Sequence, residues 1–157
     1  MKKQSAGILP YKYVHGQIFF FIAHPGGPFY RKKDNGSWTL VKGEINEGED
    51  PFAAAIREFK EETSIDIIGD FLQLTPIKQK SGKLVHVWAI ESDFTTENIK
   101  SNTFTIEWPP KSGVMAEFPE LDKFEWFDMD TTMGKLLSGQ VGFVKEVLKV
   151  LGLGEPG

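Results

Sequence analysis

The sequence predicts a layered α/β (α+β) domain, with mixed strands forming a sheet that is covered by helices. Three observations carry this. Several short runs, such as IFFFI and LVHVWAI, are apolar on both faces, as expected of strands covered from two sides. A breaker-free stretch, PFAAAIREFKEET, lies inside the strand series and has helical periodicity. A second amphipathic stretch closes the chain.

The elements follow in order. Ser5–Tyr11 and Gln17–His24 read as two strands joined by a turn at Val14-His15-Gly16. His24 opens a turn-rich loop, HPGGPFYRKKDNGS, which ends in a turn at Asp34-Asn35-Gly36. Trp38–Leu40 is expected to be a short strand. Asp50 and Pro51 read as the N-cap and first residue of a helix. Its core-facing stripe is Phe52, Ile56, Phe59 and Thr63. Ile65–Ile68 is expected to be a short strand, and Phe71–Gln79 with Lys83–Glu91 a hairpin about Ser81-Gly82. Thr103–Trp108 alternates, and the Pro- and Gly-punctuated segment after it, 109–120, reads as a flexible flap. Phe124–Asp128 is the last strand. Asp130 or Thr131 caps a short helix ending near Ser138-Gly139, and Gln140–Leu151 forms the closing helix.

Composition narrows the function classes. With 157 residues, 40% hydrophobic and 25% charged, the chain reads as one domain over 1–157. The absence of cysteine excludes disulfides and thiolate metal sites. A net charge of −4 argues against binding a nucleic-acid polymer, which needs a basic face. No apolar run approaches a membrane span, and MKKQSAGILPYKY lacks an apolar core of signal-peptide length. The expectation is a cytoplasmic protein without membrane contact, either monomer or homodimer.

The chemistry concentrates in 43–65. On the helix, Glu58, Glu61 and Glu62 stand at i, i+3, i+4, on a face expected to lie roughly opposite the apolar stripe. Like charges at this spacing cost a helix a few tenths of a kcal/mol per pair. Arg57, at i+4 from Glu61, relieves only one of them, so a further cation is expected. Three glutamates taken alone also suit a plain solvated face. The wider spacing favours function: Gly43, five residues, Glu49, seven residues, then Arg57-Glu58-Phe59-Lys60-Glu61-Glu62 and Ile65.

That pattern resembles the signature of the Nudix hydrolases, with one departure, Ser64 where the family has a second glycine. The resemblance implies an α/β/α sandwich, a mixed sheet between helices, with 43–65 at the mouth of a cleft. It implies magnesium, with manganese as the alternative, on Glu58, Glu61 and Glu62, and Glu49 as an accessory ligand. Glu61, Arg57 and Glu120 form the catalytic group, with Arg57 orienting a glutamate. Gly43 would let the loop backbone approach a ligand closely. Hard oxygen ligands suit magnesium, and a bound metal activates water against a phosphoanhydride.

The segments WTLVKG, KLVHVWAI and FPELDKFEWF look like the dinucleoside polyphosphate branch and its bacterial NTP pyrophosphohydrolase relatives. In that branch a glutamate six residues before a tryptophan adds a carboxylate, as Glu120 does before Trp126, with Glu117 as the competing candidate. The expected substrate is a small nucleotide, diadenosine tetraphosphate or an NTP. Alternatives are ADP-ribose or a nucleotide sugar, or a non-catalytic nucleotide-sensing module. Arg31, Lys32, Lys33 and Lys42 are the candidate phosphate contacts; Tyr30, Phe29 or Phe118 are available to stack on a base.

Overall fold

A computed structural model describes residues 3–97 and 99–154. Its organising strand is β1 (Ser5–Val14). Along its first half β1 pairs in parallel with β6 (Leu84–Glu91) on one side and antiparallel with β3 (Val41–Glu44) on the other. Its last residues form the expected hairpin with β2 (Gln17–Pro25), Val14 opposite Gln17. β2 pairs onward with β9 (Leu121–Asp128), and β6 with β4 (Phe71–Gln73) and β5 (Ile77–Lys78). The main path is β4-β6-β1-β2-β9.

Period-two alternation splits the apolar residues into two layers. Ala6 and Ile8 of β1, Phe21 and Ala23 of β2, and Trp88 and Ile90 of β6 pack on α1 (Pro51–Thr63). Leu9, Phe20, Ile22, Val85 and Val87 pack instead on α3 (Val141–Val150), through Phe143, Val144, Val147 and Leu148. The sheet therefore lies between helices, as expected. The Asp50 carboxylate caps α1 by accepting from the Ala53 N–H at 3.1 Å, with Pro51 next. Phe59 is fully buried beneath α1, so truncating it to Ala would cost about 3–5 kcal/mol. Among the described residues no helix is long and apolar enough to cross a membrane.

Several boundaries differ from expectation, each for a local reason. Trp38 and Thr39 make only isolated bridges, to Leu136 and Ala23, and the strand begins at Val41. The Leu40 N–H donates to the Gln140 side chain at 2.9 Å instead of to a strand neighbour. Residues 65–68 form no strand: Ile67 is buried against α1, while Ile68 is 85% exposed. The run 71–79 breaks at 74–76, because Pro76 lacks an N–H and Glu146 accepts from the N–H and hydroxyl of Thr75. Asp128, not Asp130 or Thr131, caps α2 (Met129–Lys135) by accepting from the Thr131 N–H.

The largest departure is the segment expected to be a flap. Met115–Pro119 forms a strand, β8, paired antiparallel with β7 (Thr103–Glu107) in a separate two-stranded ribbon. Glu120 follows directly, its N–H donating to Asn102 O and its carbonyl accepting from the Gly26 N–H, both at 2.8 Å. It stands on a braced corner, not a loose loop.

Candidate active site

The carboxylates of α1 do not all face solvent. Ala54 and Ala55, both fully buried, let the helix sit close to β1 and β3. Glu62 lies seven residues, almost two turns, beyond Ala55, so the small-residue side carries it inward. It is only 4% exposed. Glu58 is half-buried and Glu61 remains exposed. The expectation of three glutamates opposite the core is thereby corrected: two of them border the sheet.

Gly43, expected in a loop, lies in β3 opposite Ala6. A Cβ there would overlap the Glu58 carboxylate. Its hydrogen side chain makes room for a protein carboxylate, so the close approach comes from within the chain.

Arg57 knits the patch together. Its Nε and Nη2 donate to the two oxygens of Glu49 at 2.8 and 2.9 Å, a bidentate fork. Nη1 donates to Glu58 at 2.9 Å and to both Glu61 oxygens at 3.2 Å, and Nη2 also donates to Glu44 O at 3.0 Å. Arg57 thus serves three glutamates, not the one its i, i+4 spacing suggested. Arg57 and the Asn46 N–H hold the Glu49 carboxyl down at about 2. Glu49 is consequently engaged by the guanidinium.

Glu62 is the opposite case. Its Oε2 is buried without a hydrogen-bond partner among the described residues. Burial pushes its carboxyl up to about 8, reinforced by the charge of Glu120 and a hydrogen bond between the two carboxyls, then by Glu58 and Glu61. Burial also raises Glu58, although Arg57 opposes the shift. Lys42, half-buried on β3, is lowered by burial and by Lys83, with Glu44 and Glu58 pulling the other way.

These residues suit a hard divalent cation. A buried, unpartnered carboxylate oxygen beside a second acid that burial also raises is a donor set short of positive charge. Among the described residues no three His, Cys, Asp or Glu side chains are already gathered as ligands, and Glu49, Glu58 and Glu61 are engaged by Arg57.

The remaining candidates separate. Glu120 meets Glu62, whereas Glu117 lies on the exposed strand β8 opposite Thr105. Arg31, Lys32 and Lys33 do not join the carboxylates. With Lys123 and Lys135 they line a cleft of about 350 Å³ floored by Trp38 and Phe127. The Tyr30 ring lies 5.4 Å from the Lys33 ammonium. Phe29 meets Trp108 edge-on, and Phe118 packs on Phe104. The sequence reading missed buried His24 and its partner Asp122, whose ring and carboxylate lie 2.7 Å apart. A histidine at the end of the apolar run QIFFFIAH was the one available signal.

A family profile described as "NUDIX domain" matches residues 2–147. Over 65 residues, 41% of this chain, the sequence is 37% identical to a bis(5'-nucleosyl)-tetraphosphatase [asymmetrical] of Caenorhabditis elegans, covering 43% of that protein. The chain spans less than half the length of the curated relatives it matches, from 14% to 43%. A crystal structure of a C. elegans Ap4A hydrolase binary complex shares the fold, with a TM-score of 0.61 at 21% identity, over 96% of this chain and 98% of that one. The NUDIX domain of Shewanella oneidensis NrtR, solved with ADP ribose, does so with a TM-score of 0.65 at 14% identity, over 96% and 90%.

Proposed function

The chain belongs to the Nudix family, and on that premise we propose that it is a divalent-metal-dependent hydrolase of a phosphoanhydride bond in a nucleoside polyphosphate. One observation carries the reading: buried Glu62, with an unpartnered oxygen, lies against Glu120 beside half-buried Glu58. A protein built only for stability gains nothing from such crowding.

Glu58, Glu61 and Glu62 would hold the metal, with Glu120 across from them. Magnesium, or manganese in its place, would supply positive charge against the phosphoryl oxygens and acidify a water. The rest is done by the chain. Glu120, braced through Asn102 and Gly26, accepts a proton at its carboxylate. Arg57 keeps Glu49 and Glu58 in fixed positions. Gly43 leaves the space that Glu58 fills. Lys42, on the same strand, is the phosphate contact nearest these groups by charge, since Glu58 acts on its ammonium. Glu49 is a positioning residue in this scheme, not an accessory ligand.

Diadenosine tetraphosphate is the preferred substrate on this reading, with an NTP next, supported by the likeness to the nematode tetraphosphatase. ADP-ribose is the second reading, favoured by the fold shared with the ADP-ribose-bound Shewanella domain. Loss of signature glutamates would favour a nucleotide-sensing module without hydrolysis, and none is lost here.

A product-resolved panel of dinucleoside polyphosphates, NTPs, ADP-ribose and nucleotide sugars, run with magnesium and with EDTA, tests the proposal. The expected result is asymmetric cleavage of diadenosine tetraphosphate that stops in EDTA. Equal turnover in EDTA, or no cleavage of any substrate, would overturn it.

A further inference from the structure

We propose that the chain carries a second anion site, separate from the signature carboxylates, for a small ligand bearing a polyphosphate chain. Its cations are Arg31, Lys32, Lys33 and Lys123 around the 350 Å³ cleft.

The cleft opens on the other side of the sheet from α1. Trp38 and Phe127 belong to the apolar layer shared with α3, whereas Phe124 and Trp126 belong to the layer beneath α1. Lys123 and Phe127 alternate along β9 with Phe124 and Trp126, so the cleft residues point away from the signature helix. Substrate phosphates held at Glu58 and Glu62 would have the sheet between them and this cluster.

The loop that presents the cations is tied down. The Trp38 indole N–H donates to Asp34 at 2.7 Å, and the Lys135 ammonium donates to the same carboxylate at 2.7 and 2.8 Å. The Gly36 N–H donates to Gly134 O at 3.1 Å, and the ring of buried His24 lies 2.6 Å from the Lys33 carbonyl. Asp34 thus balances Lys135. Arg31, Lys32, Lys33 and Lys123 form no ion pair with a carboxylate among the described residues; Glu125 lies on the wall, and Asp122 is engaged by the His24 ring behind the loop. Unpaired like charges gathered in one concavity, on a chain of net charge −4, make a local field suited to an anion. Polyphosphate fits because it offers several oxygens to several cations at once. The depression is shallow and open, wide enough for a small polyanion, and one compact patch is not the stripe a nucleic acid needs.

Calorimetry on the full chain tests this, with inorganic tripolyphosphate titrated in EDTA at low salt, where the uncompensated carboxylates repel anions. The expected result is one site per chain. The exposed double substitution Lys33→Gln/Lys123→Gln, its fold checked by circular dichroism, should weaken it at least tenfold, and Lys42→Gln should leave it unchanged. ATP in place of tripolyphosphate separates the sources. Equal affinity means that the phosphates alone are read, and tighter ATP binding means that the nucleoside adds contacts of its own. No binding to the wild type, an unchanged double variant, or loss in Lys42→Gln would overturn the site. So would a short DNA duplex that binds more tightly than tripolyphosphate and displaces it.

Discussion

Replacing Glu62 by Gln should stabilise the metal-free protein while abolishing its catalysis. In the fold the Glu62 carboxyl titrates at about 8, against an ordinary value of 4.5. The folded protein therefore binds more protons than the unfolded chain between those values. The stabilisation is fully present below about pH 4.5 and is lost as pH rises through about 8. At about 1.36 kcal/mol per pH unit, the ceiling is on the order of 4–5 kcal/mol. Local relaxation and water entry leave about 1–2 kcal/mol. For a domain of this size that is about 3–6 °C in Tm. Glutamine keeps the shape of the neutral acid and cannot ionise. Thermal unfolding in EDTA, from pH 5 to 9, should show the wild type falling and Glu62→Gln staying nearly flat, the curves meeting near pH 5. Magnesium should then raise the wild-type Tm more than that of the variant. Two parallel curves would refute the crowding of Glu62 against Glu120, and with it the argument for a cation there.

Three further outcomes follow. Gly43→Ala should displace the Glu58 carboxylate and lower kcat at least tenfold at a stability cost of about 1–3 kcal/mol; unchanged kinetics would mean that Glu58 can move without consequence. Ser64, the C-cap of α1, has φ 63°, so Ser64→Gly should raise Tm by about 2–3 °C, roughly 0.5–1 kcal/mol, with kinetics unaffected. Glu120→Gln should lower kcat by two orders of magnitude or more and leave KM within a few-fold, while Glu117→Gln should behave as wild type; the reverse pattern would transfer the proton-accepting role to β8.

Much of the fold was legible because the strands that matter are apolar on both faces. The runs around Phe20-Phe21 and Val87-Trp88 need two covering layers, and α1 and α3 supply them. β8 was illegible for the converse reason: Met115, Glu117 and Pro119 are exposed and it packs on neither layer, so only its pairing with β7 makes it a strand. For the site, spacing alone singled out Glu58, Glu61, Glu62 and Arg57. It did not reveal that Glu62 is buried, because the stripe drawn through Phe52, Ile56 and Phe59 gave weight to bulk, and the helix docks most closely where Ala54 and Ala55 are small. Arg31, Lys32 and Lys33 looked like substrate contacts because they precede the signature in sequence. The sheet, which sequence proximity does not register, stands between them and the carboxylates.

The hold of Arg57 on three glutamates bears on which ions the site accepts. A guanidinium keeps its charge at any physiological pH and, being tethered, is never diluted away. On the proposed reading, an incoming cation would share Glu58 and Glu61 with it, so occupancy would be an exchange and not a simple addition. A singly charged ion gains little against such a rival, and a doubly charged one wins by its second charge. On the proposed metal-dependent reading, Arg57 would therefore set a threshold that a monovalent ion does not pass, while its fork on Glu49 stays in place.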